Sequence, residues 1–150
     1  EVHVERGAPH GHRVVLAGRA DERPGFDPGD LVFVLHQQEH PEFRRRGADL
    51  FLARDICLLE ALTGFRMLIT HLDKRSFVVS MPEGEVVQLL AEGTGLKAVR
   101  GEGMPTHGRP FAFGALFLVL TVRFPETVGP VAAPLLRRAL PGPTAPPAAA

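Results

Sequence analysis

The sequence predicts a mostly β protein, and a β-sandwich is the arrangement that it favours. Apolar side chains alternate with polar ones over short runs, which is the period of a strand with one buried face. Glycine and proline, 16 and 14 of the 150 residues, are concentrated between these runs and indicate chain reversals. Many short strands joined by tight turns must each bury one face, and packed sheets achieve this.

The N-terminal part of the chain predicts three short strands. Val2 and Val4 alternate with charged or polar neighbours, residues 14–17 form a second apolar run, and residues 31–35 (LVFVL) form a third. The second and third runs are separated by a stretch rich in Pro-Gly steps, residues 24–30. Proline presets the backbone angle of a turn and glycine accepts positive φ, so the chain is expected to reverse there.

A second unit begins near residue 40. Residues 50–56 predict a strand, and residues 58–62 predict one helical turn, because they are strong helix formers followed by Gly64. Residues 65–70 and 77–81 predict the two strands of a hairpin with a polar connection between them.

The rest of this unit predicts three further strands and one turn. Residues 86–90 and 96–100 are short candidates, and residues 116–124 are the strongest strand candidate in the chain, being rich in Val, Leu, Thr and Phe. The Gly101-Glu102-Gly103 step before Pro105 predicts a tight turn.

The C-terminal part predicts a helix followed by a tail. Residues 132–140 have amphipathic spacing, which places Leu135, Leu136 and Leu140 on one apolar stripe. Residues 141–150 (PGPTAPPAAA) carry four prolines and no charge, so we expect them to be disordered or extended.

Charge and hydropathy argue against two classes of partner. The 17 basic and 17 acidic residues balance, so no net charge draws the protein to nucleic acid or to an anionic membrane. Residues 44–46 and 137–138 are small arginine groups, which we interpret as solvated faces. The longest apolar runs, residues 31–35 and 115–122, are far shorter than a membrane span.

Cysteine content and the start of the chain bear on compartment and completeness. Cys57 is the single cysteine, so no disulfide forms within the chain and a reducing compartment is the natural fit. It lies in an apolar run, where cysteine behaves mostly as a small buried hydrophobic residue. The sequence opens on Glu1 in mid-pattern, which we interpret as a fragment boundary.

The residues predict no catalytic constellation. His10 and His12 have the spacing that places two rings on one strand face and could hold a metal, but no third ligand is near them. Residues 93–98 loosely match a dinucleotide-binding fingerprint, although no helix follows to receive a pyrophosphate. Cys57 has no evident base beside it. From the residues alone, we expect a binding module or part of a larger protein rather than an enzyme.

Six ordered segments resemble the C-terminal region of DnaJ-type J-domain co-chaperones of the zinc-finger-containing class. Residues 1–35 look like the stretch that follows the family's zinc finger, and residues 40–52 (HPEFRRRGADLFL) look like the start of its second C-terminal β-domain. Four segments resemble the interior and the end of that domain: residues 56–65 (ICLLEALTGF), 70–75 (THLDKR), 100–105 (RGEGMP) and 122–126 (VRFPE).

The resemblance implies two tandem β-sandwich-like domains and a dimerisation helix. It makes residues 1–39 the end of an incomplete first, client-binding domain and residues 40–126 the complete second domain. Residues 127–140 would be the dimerisation helix and residues 141–150 a disordered Pro/Ala tail. The family's zinc finger would lie outside the chain, so no cofactor is implied within it.

The resemblance also implies a client-binding site in the first domain. Phe33 falls at the position of the family's pocket aromatic, and Val2 and Val4 are expected to form the neighbouring strand row. An exposed apolar groove beside a sheet can take an extended peptide through added-strand hydrogen bonds and side-chain pockets. The alternative is that Phe33 is simply a core side chain.

The function implied is that of a co-chaperone module. It would hold unfolded polypeptide, deliver it to a DnaK-type heat-shock chaperone, and form a homodimer through Leu135, Leu136 and Leu140. The alternative is a purely architectural, dimerising segment with no client binding of its own. Neither nucleic acid nor membrane is an expected partner, and the expected location is the cytoplasm, with the nucleus as a second compartment.

Overall fold

A computed structural model of the chain describes residues 1–21, 24–90 and 93–142. The described residues form eight strands and two helices. They are β1 (Arg13–Leu16), β2 (Leu31–Val34), β3 (Phe43–Arg46), β4 (Asp49–Cys57), α1 (Leu58–Thr63), β5 (Phe65–Thr70), β6 (Ser76–Met81), β7 (Thr94–Thr106), β8 (Arg109–Arg123) and α2 (Ala132–Ala139). The predicted mostly β class is confirmed.

The strands form one four-stranded sheet and two hairpins. The sheet has the order β3-β4-β8-β7, in which β4 and β8 are parallel and the other pairs are antiparallel. The hairpins are β1-β2 and β5-β6. The predicted hairpin of residues 65–70 and 77–81 is therefore confirmed, and the strands predicted at residues 96–100 and 116–124 are parts of the longer β7 and β8.

The core lies between one face of the four-stranded sheet and the β5-β6 hairpin. Alternate residues of β4 and β8 point to this face, and β5 and β6 contribute buried side chains opposite them. Side chains of this size each contribute about 1.5–3 kcal/mol when they are fully removed from water. The fully buried ones are Leu50, Leu52, Ile69, Leu116, Leu118 and Leu120.

Helix α1 is capped at both ends by local contacts. The Glu60 N–H donates to the Cys57 sulfur over 3.5 Å, and the Cys57 N–H donates to the Glu60 carboxylate over 2.8 Å, which forms a capping box. Gly64 ends the helix with a φ of 97°, and a Cβ there would lie 2.5 Å from the Met81 carbonyl oxygen. The predicted stop at Gly64 is confirmed. The expectation that Cys57 is a buried hydrophobic residue is wrong, because its side chain is exposed at the start of the helix.

The turn predicted at residues 101–103 is wrong, because this segment lies inside β7. The ladder between β7 and β8 shifts register between Arg100 and Pro105, and Gly101 takes a φ of 78° there. The extra residues are accommodated as a β-bulge rather than a chain reversal. Gly103 lies against the neighbouring backbone, where a Cβ would come within 2.5 Å of the Ala48 carbonyl oxygen.

The strand predicted at residues 86–90 is also wrong. Only an isolated bridge forms there, between Leu89 and Gly95. Val87 is buried in the core and its N–H donates to the Ala61 carbonyl oxygen over 3.0 Å. Residues 86–90 are therefore apolar because they form a loop that packs on α1, and not because they form a strand.

The strand predicted at Val2 and Val4 does not form. Residues 1–5 belong to no strand, and β1 pairs only with β2 within the described part of the chain. A strand needs a ladder partner, and this segment instead runs into a turn at Gly7, whose φ is 80°. A Cβ on Gly7 would lie 2.2 Å from the Pro105 carbonyl oxygen, so the turn lies directly on β7.

Arg45 attaches this N-terminal turn to the four-stranded sheet. Its guanidinium donates to the carbonyl oxygens of Gly7 at 2.8 Å and Ala8 at 3.0 Å, and to the Gln37 side-chain oxygen at 3.1 Å. Its Nε donates to the Gly47 carbonyl oxygen at 2.8 Å. The interpretation of residues 44–46 as a solvated face is thus wrong for Arg45, because its side chain is half-buried and contacts the N-terminal turn.

A polar cluster connects the β5-β6 turn to the bulge in β7. The Arg75 guanidinium donates to both carboxylate oxygens of Glu102, at 3.1 and 2.6 Å, and His71 Nε2 lies 2.8 Å from the Glu102 carbonyl oxygen. Asp73 accepts a hydrogen bond from the Arg75 backbone N–H, and this bond lowers the pKa of the carboxyl. The neighbouring Glu102 carboxylate raises the pKa of Arg75.

The predicted C-terminal helix is confirmed as α2. The tail expected to be disordered begins at residue 141, and from residue 143 onward it lies outside the described residues.

Candidate binding surfaces

The β1-β2 hairpin carries an exposed apolar surface. All four side chains of β2 are between 37% and 47% exposed, and Val15 of β1 is 54% exposed. A strand with one buried face shows alternating burial, whereas β2 shows none. Both faces of β2 are therefore accessible at once, whereas β1 alternates between exposed and half-buried residues.

Phe33 lies in the middle of this hairpin, and its cross-strand partner is Val14. The expected partners Val2 and Val4 are elsewhere. Val4 is half exposed and helps to line a cavity of about 330 Å³ together with Leu35 and Met104. The structure thus brings Val4 to the end of β2, but it does not place Val2 or Val4 in a ladder with Phe33.

The hairpin is held in shape by hydrogen bonds around its long connection. The Gly18 N–H donates to the Asp30 carboxylate over 3.1 Å, and the Ala20 N–H donates to the Gly29 carbonyl oxygen over 2.9 Å. Within the described residues, no strand pairs with the outer edge of either β1 or β2. Their outward-facing backbone groups can therefore accept an added extended strand.

A second apolar surface surrounds α2. Leu135, Leu136 and Leu140 are 59%, 40% and 45% exposed, so the predicted stripe faces outward. Leu136 also lines a cavity of about 460 Å³ between α2 and α1. We call this cavity the α1–α2 cavity; its other lining residues are Cys57, Leu58, Leu59, Leu62, Arg123, Phe124 and Pro125.

The sequence reasoning missed the contribution of α1 and of the end of β8 to this surface. Leu59 and Phe124 are both 68% exposed, which is unusual for side chains of this size next to a cavity. A signal was present in the three leucines of the short helix, since a single helical turn cannot bury all of them in one core.

The histidines do not gather into a metal site. His10 lies against His36, with ring centroids 5.4 Å apart, and His12 lies against His107 at 4.6 Å, so the two rings face different partners. Across residues 1–21, 24–90 and 93–142, no three His, Cys, Asp or Glu side chains are placed to bind one metal ion. In the same ranges, no helix has the length and apolar character needed to cross a membrane.

These features define a mostly β protein that presents open apolar surfaces next to unpaired strand edges. The family model of the DnaJ C terminal domain matches residues 1–125. The chain therefore belongs to the DnaJ C-terminal domain family.

Curated relatives agree with this family over most of the chain. Chaperone protein dnaJ 2 of Arabidopsis thaliana is 44% identical over 144 residues, which is 96% of this chain and 33% of the relative. Chaperone protein dnaJ A6 of rice (Oryza sativa subsp. japonica) is 46% identical over 127 residues, or 85% and 30% of the two chains. Human DnaJ homolog subfamily A member 2 is 45% identical over 126 residues, or 84% and 30%. The chain thus spans about a third of the length of these relatives.

Proposed function

We propose that this chain is the polypeptide-binding and dimerising part of a J-domain co-chaperone. It holds unfolded polypeptide on the β1-β2 hairpin and passes it to a DnaK-type heat-shock chaperone. This role rests on equilibrium binding and needs no catalytic side chain. The relatives named as chaperones support the general role, and the exposed apolar residues of β2 are the observation that carries the binding site.

The hairpin suits an extended, apolar segment of an unfolded chain. Its unpaired backbone edge supplies hydrogen bonds that do not depend on sequence, and its exposed side chains favour hydrophobic residues. Phe33 is the largest side chain of β2, so we assign it the main contact with a bound side chain. Val4 lies at the cavity beyond the end of β2, where it would contact the end of a longer peptide. For Val2, which is half-buried, no contact in the structure adds to the expectation from the resemblance.

Substitution of Phe33 separates client binding from a core role. Phe33 is 37% exposed, so Phe33→Ala removes a ring that is only partly buried. We expect it to lower the free energy of unfolding by about 2 kcal/mol, rather than the 3–5 kcal/mol of a core phenylalanine. We expect the affinity for a fluorescein-labelled nonapeptide rich in Leu and Ile to fall about tenfold, which corresponds to about 1.4 kcal/mol. Fluorescence anisotropy measures the affinity, and urea unfolding measures stability.

Phe111→Ala is the matched control, because that ring is 95% exposed on another strand. Equal peptide affinity in the Phe33 and Phe111 variants would contradict the proposal. A large loss of stability for Phe33→Ala with unchanged peptide affinity would favour the purely architectural alternative.

The α1–α2 cavity supports the dimerising role. It places Leu136 next to exposed apolar residues of α1, so a second copy of α2 can bury Leu135 and Leu140 against the same surface. Leu136→Asp would put a carboxylate into that contact, which is costly without a partner. Sedimentation velocity should show a concentration-dependent dimer for the wild type and a monomer for Leu136→Asp. A monomeric wild type at all concentrations would refute this part of the proposal.

The division of the chain and its location follow from the same proposal. Residues 1–39 would belong to the client-binding domain, residues 40–126 to the second domain and residues 127–140 to the dimerisation segment. A cytoplasmic location, with the nucleus as a second compartment, fits this role and can be tested by fluorescent tagging of the full-length protein.

A further inference from the structure

The four-stranded sheet has a second face, opposite the core, that is open. In β4 the odd-numbered residues point to this face, and none of them is buried. The same holds for the residues of β8 in register with them. All six fully buried side chains lie in the core on the other side.

The centre of the open face is an aromatic pair. Phe51 and Phe117 are cross-strand partners on β4 and β8, and their rings are stacked with centroids 5.1 Å apart and planes 17° from parallel. Val119 and Leu96, which are themselves paired between β8 and β7, extend the apolar surface, and Leu96 is 43% exposed.

Three arginines border this apolar centre. Arg44 pairs with Phe51 in register, so it lies on the same face, and Arg46 follows on the same side of β3. Arg100 lies at the opposite edge, paired with Ala115. All three are exposed.

Two of these arginines form no ion pair, although Arg46 is the cross-strand neighbour of Asp49. Neither Arg46 nor Arg100 forms an ion pair within the part of the chain that the structure describes. Arg44 lies 3.7 Å from Glu39, but the two side chains are 71% and 90% exposed, so water competes with that pair.

The acidic groups of this face are already engaged. Asp49 accepts a hydrogen bond from the Ala115 N–H over 2.8 Å, and Asp55 is paired with Arg123 at the far end. Three arginines surround the aromatic pair and only one carboxylate, that of Asp49, lies close to it, so the charge there is net positive.

We propose that this outer-face patch (Phe51, Phe117, Val119 and Leu96 with Arg44, Arg46 and Arg100) docks a short acidic peptide segment that carries a large apolar side chain. Guanidinium groups bind carboxylates through paired, charge-assisted hydrogen bonds, and the apolar centre buries the peptide's hydrophobic residue. This site is separate from the β1-β2 hairpin, so it does not depend on the client-binding proposal.

The test uses the whole chain and the labelled hexapeptide Glu-Glu-Phe-Glu-Glu-Leu. Fluorescence anisotropy should show binding that weakens as salt is raised from about 50 to 300 mM, because exposed charge pairs are screened. The neutral counterpart with Gln in place of Glu should bind at least tenfold more weakly. A counterpart with Gly in place of Phe should also lose affinity, which reports on the apolar centre without altering the protein.

The double variant Arg46→Glu/Arg100→Glu should reduce the affinity for the acidic peptide at least tenfold. Arg66→Glu/Lys74→Glu makes the same change in net charge at exposed positions elsewhere and should leave the affinity within about twofold of the wild type. The apolar nonapeptide used for the hairpin should bind both double variants equally, so failure of one proposal is distinguishable from failure of the other.

Three results would overturn the proposal. One is equal binding of the acidic and neutral peptides. Another is tighter binding of a labelled single-stranded 20-nucleotide DNA than of the acidic peptide. The third is self-association of the wild-type chain that Arg46→Glu/Arg100→Glu abolishes in sedimentation, which would make a second copy the occupant of the face.

Discussion

Replacing Arg45 with alanine should release the N-terminal turn and the β1-β2 hairpin from the four-stranded sheet while the sheet itself stays folded. Three hydrogen bonds from the guanidinium reach across to residues 7, 8 and 37. A hydrogen bond from a charged group contributes about 1.5–3 kcal/mol when it is well shielded. Because Arg45 is half-buried, we take about 1 kcal/mol for each bond, which gives ~2–3 kcal/mol in total.

This free energy converts into a measurable opening of the hairpin. A change of ~2–3 kcal/mol raises the population of the undocked state about 30- to 150-fold. A two-stranded hairpin is only marginally stable alone, so undocking exposes the backbone amides of β1 and β2 to solvent. Amide hydrogen exchange should therefore accelerate in β1 and β2, while the amides of β8 keep their protection.

Two variants sharpen this test. Arg44→Ala removes an arginine whose ion pair with Glu39 is almost fully solvated, so it should leave exchange in the hairpin unchanged. Arg45→Lys keeps the charge but loses the planar fork, so its effect should be intermediate. Hairpin exchange in Arg45→Ala within twofold of the wild type would refute the role of this side chain.

Two further predictions concern the β7 bulge and the polar cluster beside it. Gly103→Ala should lower the free energy of unfolding by about 2–3 kcal/mol, because its Cβ would lie 2.5 Å from backbone atoms of Ala48 and Gly114. Gly129→Ala is the control, because a Cβ there has nothing within 4 Å, and it should change the free energy of unfolding little in the same urea titration. Asp73 has a pKa below its ordinary value of 3.8, because the Arg75 backbone N–H donates to its carboxylate. The contribution of this carboxylate to stability is therefore complete above pH 3.8 and is lost as the pH falls through the lowered pKa. Asp73→Asn should therefore lose less stability than the wild type between pH 5 and pH 2, and parallel losses would contradict the assignment.

Local chemistry made much of the chain between residues 43 and 81 predictable. The strand at residues 50–56 and the hairpin at residues 65–81 follow from short-range apolar patterns with turn residues between them. The end of α1 follows from Gly64, whose φ of 97° suits no other residue well. Each of these predictions depends only on residues that are close in sequence.

The errors came where distant parts of the chain meet. Residues 101–103 have the composition of a turn, yet Gly103 is required because the Ala48 carbonyl oxygen leaves no space for a side chain. Val87 belongs to an apolar run because it fills the core from a loop. Arg45 was interpreted as one of three solvated arginines, but its guanidinium donates to the Gly7 carbonyl oxygen, which is 38 residues away in the sequence. None of these contacts has a short-range signature.

The candidate site was harder to predict than the fold, for a physical reason. Residues 31–34 (LVFV) and residues 116–120 (LFLVL) have nearly the same composition, but three residues of the second segment are completely buried and none of the first is. The difference is the covering layer, since the β5-β6 hairpin packs over β8 and no described residue covers β2 in the same way. Composition therefore locates apolar strands, whereas only the packing tells a core strand from a binding surface.

The exposure of β2 is itself an argument for a partner. Leaving a large apolar side chain in water forgoes about 25 cal/mol for every Å² that burial would remove. A sequence shaped by stability alone would place polar residues at alternate positions of β2, as it does at Arg66 and Ser80 of the β5-β6 hairpin. All four positions of β2 are apolar, which supports the proposal that another polypeptide covers this surface. We expect an added client peptide to protect the amides of β1 and β2 from hydrogen exchange in the wild type but not in Phe33→Ala. Equal protection in both proteins would show that the peptide does not bind through this surface.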